Sequence, residues 1–361
     1  MNKIYDVCIL GAGIMGVTLA SKLAKNTNLS VCVIETGPAP GLVQTNKNSG
    51  VVHSGIFYRD TQNILAFCLD GKQRVVDYCL KHDLPIKLTG KSIKTKSENE
   101  LELINRCENY NLNHSFDGST IKLPEVCLVD YLAITNHQYE NCKDKVDFYF
   151  NVKTTKINEN TLSLNNGEII SFNKLVNLTG IHANDIYREI TGDDRYTVCE
   201  IIGRYHEFDL NYPHMIYSGP DKKLPFLGVH ITPTLKKTVK LGPDAFPIVF
   251  SKSIGNNLKD LNRRSKFFLK NINYFIKNLF NNSPKTMLNQ SKKLEDIGLT
   301  MDMYIKNTYG VRSVLLNEKG ELEKNFIFKQ YKNTYHFLNS HSPAATCCFT
   351  IADHLINMII N

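Results

Sequence analysis

The chain has 361 residues, more than one compact core usually contains, so two lobes are expected. Its composition, 42% hydrophobic and 22% charged, is that of an ordinary soluble globular protein, and no apolar run approaches the ~20 residues needed to span a bilayer. The net charge of +8 is dispersed and no nucleic-acid-binding motif accompanies it, so no nucleic-acid partner is expected, and a positive field favours an anionic substrate.

The N-terminal segment, MNKIYDVCIL, runs directly into a strand-like stretch without a cleavable apolar segment, which predicts a cytoplasmic protein. The ten cysteines form no C-x-x-C pair, and Cys8 and Cys32 lie in apolar strand-like runs. The cysteines are therefore predicted to be reduced, mostly buried thiols. No cluster of histidines and cysteines has ligand spacing, so no metal site is predicted.

The first 35 residues have the pattern of a βαβ unit. The apolar YDVCIL is followed by the glycine turn GAGIMG, the helical VTLASKLAKN and a second apolar run, LSVCVIE. Gly11, Gly13 and Gly16 have the G-x-G-x-x-G spacing, in which the glycines allow a tight turn, approach to a pyrophosphate and close helix–strand packing, respectively. Glu35 closes the second strand, where a carboxylate can accept hydrogen bonds from both ribose hydroxyls of an adenosine. The unit predicts dinucleotide binding.

Beyond this unit the regular alternation of elements ends. The predicted elements are a helical region within 56–90 that ends at Pro85, a polar helix around 97–109, short strands around 146–172, a strand at Lys174–Leu178 and several β-type runs from 199 to 250. A final strand–helix pair resembles a return to the first domain, which predicts discontinuous domains.

Two further segments carry specific predictions. Arg263–Phe280 combines basic charge with helical periodicity, with aromatic residues on one face and lysines on the other, which predicts an amphipathic surface helix. Contact with an acidic membrane surface is the alternative. Near the C-terminus, Ser342 and Pro343 are predicted to be the N-cap and first position of the last helix, whose N-terminus can bind an anion.

Four features together carry a family resemblance. They are GAGIMG with Glu35, QTNKNSGVVHSGIFY (44–58), PFLGVHIT followed by LGPDAF (225–232 and 241–246), and HFLNSHSPAAT (336–346). The combination is similar to the FAD-dependent oxidoreductases of the D-amino-acid-oxidase superfamily, and within it to the L-2-hydroxyglutarate dehydrogenase/oxidase family. The resemblance runs nearly end to end; its first motif is generic, and the other three are specific in combination.

This resemblance implies an α/β protein, α+β overall, with a Rossmann-like FAD-binding domain and a second, mainly antiparallel-sheet substrate domain. The FAD-binding domain is expected at 1–90, 145–198 and 305–361, and the substrate domain at 91–144 and 199–304. The implied reaction oxidises an L-2-hydroxy acid, L-2-hydroxyglutarate or a related hydroxy dicarboxylate, to the 2-oxo acid by hydride transfer to N5 of non-covalently bound FAD. The electrons then pass to a quinone, another acceptor or oxygen.

The resemblance also implies which residues contact the cofactor. Gly50 and Gly55 are expected to give clearance for the flavin ring, and Gly180 to pack near the diphosphate. The helix start at Ser342 is expected to stabilise the N1–C2=O edge of the reduced flavin. The implied cofactor contacts are Gly11, Gly13, Gly16, Glu35, Thr45, Asn48, Ser49, Gly50, Val51, Gly180, Ser340, Ser342, Ala344, Ala345 and Thr346.

Oxidation of a secondary alcohol requires a base for the hydroxyl proton, and two histidines are candidates. The resemblance places the loop of His53 under the flavin, and an imidazole with a pKa near 6.5 is a suitable base. The alternative is a histidine that only bonds the flavin or the backbone. His230, on a strand of the substrate domain, is the rival base or a carboxylate partner, and a structural role is its alternative.

Five side chains are candidates for substrate binding. Arg312 occupies the place where the wider superfamily has an arginine that grips the substrate carboxylate in a two-point fork; an ion pair elsewhere is the alternative. Lys91 is a candidate for the distal carboxylate, against a solvated lysine. Tyr58 and Tyr205 are candidate phenolic donors, against packing aromatics, and His341 is expected near the edge of the ring.

Several positions depart from the family pattern around the expected site. Ile202 and Lys47 stand where the family has arginines, Arg204 stands where it has a glutamate, and His341 is a further change. Two alternatives to the implied reaction therefore remain. One is an enzyme of the same fold that acts on an amino acid, an amine or a sugar-derived hydroxy acid; the other is a flavin-binding protein without turnover.

Overall fold

The computed structural model describes residues 3–59, 62–95, 97–220, 225–249, 257–280 and 282–360, so position 250 of the predicted β-type runs lies outside the described residues. The strands are β1 (Ile4–Leu10), β2 (Val31–Ile34), β3 (Val51–Val52), β4 (Ile86–Leu88), β5 (Lys91–Lys94), β6 (Ser115–Phe116), β7 (Thr120–Leu123), β8 (Cys127–Val129), β9 (Val146–Tyr149), β10 (Thr154–Ile157), β11 (Thr161–Leu164), β12 (Ile169–Asn177), β13 (Thr197–Phe208), β14 (Met215–Ser218), β15 (His230–Pro233), β16 (Val239–Gly242), β17 (Phe246–Ile248), β18 (Tyr304–Leu316), β19 (Phe328–Tyr331) and β20 (Thr334–Phe337). The helices are α1 (Ile14–Asn26), α2 (Asn63–Lys81), α3 (Ser97–Asn109), α4 (Tyr131–Glu140), α5 (Ala183–Thr191), α6 (Leu258–Lys270), α7 (Ile272–Phe280), α8 (Pro284–Leu294) and α9 (Cys348–Ile360).

The first sheet has five parallel strands at its centre, in the order β9–β2–β1–β12–β20. Val7, Cys8 and Ile9 of β1 are completely buried, as expected for a strand that is covered on both faces. Helices α1 and α9 pack on one face, and the β10–β11 hairpin and α5 pack on the other. The predicted βαβ unit is confirmed as β1, α1 and β2.

The second sheet has nine strands and is mainly antiparallel. Its order is β13–β16–β15–β14–β5–β7–β6, with β17 beside the first part of β13 and β18 along the other edge of β13. Among its described strands, only β14 and β5 run parallel to each other. Helices α6, α7 and α8 pack on this sheet through apolar clusters. The predicted architecture, a Rossmann-like unit beside a mainly antiparallel sheet, is confirmed.

The start of the last helix was predicted wrongly. The α-helix begins at Cys348, and residues 342–347 form turns instead. Within them the N–H of Ala344 donates to the carbonyl of His341, and the N–H of Cys347 donates to that of Ala344. These short-range bonds keep the backbone out of the α-helical pattern, so Ser342 and Pro343 do not cap α9.

The basic segment forms two helices, not the one that periodicity predicts. α6 and α7 are separated at Asn271, whose side chain amide donates to the carbonyl of Phe267. Lys266, Lys270 and Lys277 are exposed as predicted. The two arginines of the segment are instead buried, because the guanidinium groups bond backbone carbonyls of Asp194 and Val198.

Strand pairing differs from the predicted domain division at β18. This strand pairs with β13 along nearly its whole length, so it belongs to the second sheet, whereas the sequence division placed residues from 305 onward with the first domain. The reason is that β18 bonds a strand distant in sequence, and local patterns carry no information about such a partner. The remaining domain boundaries stay predictions.

All ten cysteines are buried free thiols, as predicted. In the part of the chain that the structure describes, none of the helices combines the length and the apolar character that crossing a bilayer requires.

Candidate active site

A cavity of ≈ 980 Å³ lies between the two sheets, at the carboxyl ends of β1, β2 and β12. Ligands of open parallel sheets bind at this edge because the strand ends and helix N-termini meet there. Strands β5, β13, β14, β15 and β18 of the second sheet contribute the opposite wall. Every residue that the sequence assigns to cofactor or substrate lines this cavity, with the exception of Gly16.

The three glycines of the turn between β1 and α1 have different surroundings. A Cβ on Gly11, where φ is +99°, would lie 2.7 Å from the carbonyl oxygen of Leu178, and one on Gly16 would lie 1.9 Å from that of Gly11. A Cβ on Gly13 would meet only Oγ1 of Thr45, at 3.6 Å. Gly16 therefore serves helix–strand packing, which explains why it is absent from the cavity, while Gly13 leaves its backbone open to a ligand.

Glu35 is held rigidly beside this turn. Its Oε2 accepts a hydrogen bond of 2.8 Å from the N–H of Ala12, and its Oε1 accepts one of 2.7 Å from the N–H of Gly37. Oε1 also accepts from Oγ1 of Thr36 at 3.2 Å, whereas Oε2 keeps a second lone pair for a hydroxyl donor. The open backbone at Gly13 and this fixed carboxylate fit the pyrophosphate and the ribose of a dinucleotide.

The loop after β2 is organised by its own side chains. Oγ1 of Thr45 accepts from the N–H of Ile14 at 3.1 Å and so satisfies a donor in the first turn of α1. Asn48 donates from Nδ2 to the carbonyl of Thr45 at 2.6 Å and accepts from the N–H of Gly50 at 2.8 Å. These bonds fix the loop that leads to His53.

The expectation that Gly50 and Gly55 give clearance for a ring needs correction. Both have positive φ, +74° and +90°. A Cβ on Gly50 would lie 2.8 Å from the carbonyl oxygen of Val129, and one on Gly55 would lie 3.2 Å from the side chain of Leu65. β8 and α2 therefore occupy the space beside these two glycines. The positive φ angles of the turns explain why glycine stands at both positions.

The turns at 342–347 are fastened to the loop of His53. Oγ1 of Thr346 accepts from the N–H of His53 at 3.1 Å and lies 3.1 Å from the phenolic oxygen of Tyr131. Oγ of Ser342 lies 3.2 Å from Nε2 of His53. Two segments almost 300 positions apart in the chain therefore form one wall of the cavity.

Both candidate bases are uncharged in this environment. Burial lowers the pKa of His53 and of His230 to about 3. Nδ1 of His230 lies 3.0 Å from the carbonyl oxygen of Gly228, which requires Nδ1 to carry the proton and leaves the lone pair on Nε2. A neutral imidazole with a free Nε2 can accept a proton.

Two cationic side chains flank these histidines. Burial lowers the pKa of Lys91 to about 7, and only 4% of the surface of this residue is exposed. Burial is the largest cause of the low pKa of His230 and of His341. The charges of Lys91 and Arg312 lower the pKa of His230 further, and the charge of Arg312 lowers that of His341. Lys91 and Arg312 therefore lie close enough to His230 to repel its imidazolium.

The three other candidate substrate ligands also lie here. Burial raises the pKa of the Tyr58 and Tyr205 phenols, so both remain protonated donors. The ring of Tyr205 meets that of His230 edge-on, with centroids 6.1 Å apart. Burial lowers the pKa of His341 to about 4, which keeps its ring neutral.

Comparison with known proteins identifies the family. The model of the DAO family of FAD-dependent oxidoreductases matches residues 6–358. The chain belongs to this family. The predicted cofactor, FAD, and the predicted class, oxidoreductase, are thereby confirmed.

Curated relatives of this DAO-family chain are similar over nearly their full length. They include L-2-hydroxyglutarate dehydrogenases of Dictyostelium discoideum, 26% identical with 100% of this chain and 94% of the relative covered, and of Escherichia coli strain K12, 24% identical with 98% and 93% covered. Among solved structures, the L-α-glycerophosphate oxidase of Mycoplasma pneumoniae has a TM-score of 0.74 at 16% identity, with 99% of this chain and 95% of that one covered. The glycine oxidase of Geobacillus kaustophilus has a TM-score of 0.70 at 12% identity, with 99% and 94% covered. These structures show that the fold is shared.

Sequence reasoning missed several aromatic residues of the cavity in this DAO-family chain, and Phe57 and Tyr217 are two of them. Phe57 directly precedes the predicted ligand Tyr58 in the motif HSGIFY, and this position could have indicated that Phe57 lines the cavity as well. Tyr217 lies in the short apolar strand β14, where nothing local distinguishes it from a core residue. Only its position beside Lys91 and His230 reveals that it lines the site.

Two of the family departures lie away from the cavity. The guanidinium of Arg204 pairs with the buried carboxylate of Asp244, with Nε 2.7 Å from Oδ2, and Ile202 is likewise absent from the lining. These two positions were expected around the flavin or the substrate cavity; neither lines the cavity, although Gly203 and Tyr205 beside them do. Lys47 does line the cavity, and its ammonium lies 5.7 Å from the ring centroid of Tyr309.

Proposed function

We propose that this FAD-dependent enzyme oxidises the C2 hydroxyl of an L-2-hydroxy acid, with L-2-hydroxyglutarate or a related hydroxy dicarboxylate as substrate. The observation that carries the proposal is the wall that the second sheet contributes to the cavity. Lys91, His230 and Arg312 lie on it, and it has no aspartate or glutamate among its described residues. Such a wall favours a doubly anionic ligand with a proton to lose, and the names of the curated relatives support the same substrate.

The residues have distinct roles in this proposal. Arg312 binds the C1 carboxylate through two N–H donors, which orients C2, and Lys91 binds the distal carboxylate. His230 or His53 takes the hydroxyl proton on a neutral imidazole nitrogen. The bound FAD supplies the acceptor for the hydride that leaves C2.

The cofactor is expected to lie along the first sheet without a covalent bond. Its pyrophosphate would pass Gly13, its ribose would bond Glu35, and its ring would lie against the wall that the loop of His53 and the turn with Ser342 and Ala345 form together. Asn48, Ser49, Val51 and Gly180 complete its surroundings in this proposal.

Location and electron acceptor complete the proposal. A cytoplasmic enzyme with peripheral contact to the inner face of a membrane would pass electrons to a quinone, and the other candidates are a different acceptor or oxygen. Leu279 and Phe280 on α7 support the contact, since they are 46% and 77% exposed beside Lys277.

An anaerobic substrate panel tests the reaction. The holoenzyme is mixed with L-2-hydroxyglutarate, its D-enantiomer, an L-amino acid, an amine and sugar-derived hydroxy acids, and loss of the oxidised flavin absorbance is followed. We expect rapid bleaching by L-2-hydroxyglutarate and little by its enantiomer. Bleaching by another compound while L-2-hydroxyglutarate leaves the spectrum unchanged would contradict the substrate assignment.

A further inference from the structure

The Lys91 ammonium lies against two aromatic rings. Its Nζ is 4.1 Å from the ring centroid of Phe57 and 4.0 Å from that of Tyr217. The centroids of the two rings are 6.3 Å apart and their planes are tilted by 31° to each other. Nζ lies over both rings at about 4 Å from each centroid, so it contacts the two ring faces together, beside the line that joins the centroids, and each ring attracts the cation.

The other face of Tyr217 is also occupied. The imidazole of His230 stacks on Tyr217 with centroids 4.1 Å apart and an angle of 14°. Two groups at about 4 Å over the same ring face would overlap, so His230 and the Lys91 ammonium lie on opposite faces. The order of the layers is therefore Phe57, the Lys91 ammonium, Tyr217 and His230.

This arrangement leaves the ammonium without an anionic partner of its own. Among the described residues, no carboxylate or carbonyl oxygen accepts a hydrogen bond from Nζ, and the residue lines the cavity. The groups around it that can titrate include His53, His230, the Cys68 thiol and the phenol of Tyr217 itself. The rings thus prevent movement of the ammonium sideways while its N–H donors stay available to a ligand.

We propose that Phe57 and Tyr217 are positioning and specificity-determining residues, which clamp the Lys91 ammonium so that it binds the second carboxylate of a dicarboxylate. The clamp deepens the proposed function, on which its catalytic consequence rests. Because Tyr217 separates Lys91 from His230 by one ring thickness, it also sets the distance between the distal carboxylate and a candidate base. The affinity of a ligand without the second carboxylate does not depend on this clamp, because such a ligand has no group that binds the Lys91 ammonium.

Binding of two probes to the holoenzyme tests the clamp. Glutarate and valerate have the same carbon chain and differ in the second carboxylate, and calorimetry measures their dissociation constants without turnover. Phe57→Leu and Tyr217→Leu should each weaken glutarate binding by a factor of about ten, the effect of losing one well-placed charge-assisted contact, and change valerate binding by less than about threefold. Tyr217→Phe, which keeps the ring, should retain the preference for glutarate.

Matched controls separate the clamp from general loss of packing. Phe116→Leu and Tyr331→Leu remove exposed rings on β6 and β19 and should leave both dissociation constants unchanged. If a leucine variant does not fold or retain FAD, Phe57→Met and Tyr217→Met replace it in the comparison. An unchanged glutarate preference in folded variants of both positions would overturn the proposal.

Kinetics separate failure of the clamp from failure of the proposed function. The ratio of kcat/KM for L-2-hydroxyglutarate over L-2-hydroxyvalerate should fall about tenfold in both leucine variants, mainly through KM. If the unmodified enzyme oxidises neither acid but the variants lose the glutarate preference, the proposed function is wrong and the clamp stands. If the enzyme oxidises L-2-hydroxyglutarate and the ratio is unchanged in the variants, the clamp is wrong.

Discussion

Burial determines the charge of the side chains that would act on a substrate. Two imidazoles, His53 and His230, have their pKa lowered to about 3, while Lys91 has its pKa lowered to about 7. In each case removal of water disfavours the charged form. The histidines are therefore neutral over the whole physiological range, and the lysine changes charge within it.

The charge of Lys91 should make dicarboxylate binding depend on pH. The free enzyme loses this charge as pH rises through about 7, so glutarate affinity should be highest below that pH and fall by at most about tenfold per pH unit above it. Dissociation constants for glutarate at pH 6, 7, 8 and 9 measure the effect. Lys91→Met should bind glutarate weakly at every pH, and a fall in that variant as steep as in the unmodified enzyme would assign the titration to another group.

The two candidate bases should differ in their effect on flavin reduction. His230 is flanked by both cations and has a free Nε2, so His230→Asn should slow reduction by L-2-hydroxyglutarate about 10²–10⁴-fold, the usual contribution of a general base. His53→Asn should keep FAD and slow reduction much less. Anaerobic stopped-flow absorbance measures both rates, and fast reduction in His230→Asn with slow reduction in His53→Asn would assign the base to His53.

In two elements of this chain, the β1–α1 turn and strand β18, neighbouring residues serve the fold and the cavity separately. In the turn from β1 to α1, Gly16 faces the backbone of Gly11, and Gly13 faces the cavity. One glycine is required by the fold itself and the other by the ligand, although both belong to the same spacing. The edge strand β18 shows a similar division, because it completes the second sheet and brings Arg312 to the cavity.

Alanine substitutions in this turn should separate folding from cofactor binding. Gly16→Ala places a Cβ 1.9 Å from a carbonyl oxygen, so it should lower the free energy of unfolding by about 1–3 kcal/mol or more. Gly13→Ala should leave the stability of the apoprotein within about 0.5 kcal/mol but weaken FAD binding by about tenfold or more. Urea unfolding of the apoproteins and FAD titration measure the two effects; equal stability losses in both variants would contradict the division.

The two sheets together enclose the cavity, and neither sheet forms it alone. The first sheet contributes the strand ends, and the second contributes Lys91, His230 and Arg312. The loop of His53 follows β3, which pairs with β8 in a separate three-stranded sheet, β3–β8–β4. A cofactor that fills this space contacts both units. Binding should therefore stabilise them as one structure.

FAD should raise the thermal unfolding midpoint of the apoprotein. Ligand that binds only the folded state at 100 times its dissociation constant contributes ~2.7 kcal/mol, which corresponds to a rise of several degrees. Differential scanning fluorimetry with increasing FAD measures it, and NAD⁺ at the same concentrations is the control. An equal rise with NAD⁺ would show that the site does not select a flavin.

Local sequence was sufficient for the elements whose contacts are close in the chain. The strand, turn and helix from β1 to β2 followed from apolar runs and glycine spacing, because the close contact of Gly16 with Gly11 and the pairing of β1 with β2 join residues that are near in the chain. The four motifs together, GAGIMG with Glu35 and those at 44–58, 225–246 and 336–346, were enough to recognise the family and to predict FAD. Almost all of the predicted site residues consequently proved to line one cavity.

The tertiary structure was required wherever a property depends on residues distant in sequence. The pairing of β18 with β13 and the position of Lys91 against Phe57 and Tyr217 each join segments that local patterns treat separately. Charge states belong to the same group, since the pKa of His230 depends on water removed by the fold and on cations from other strands. Desolvation and long-range contacts arise only when the chain folds. The chemistry of the cavity therefore depends on the tertiary structure.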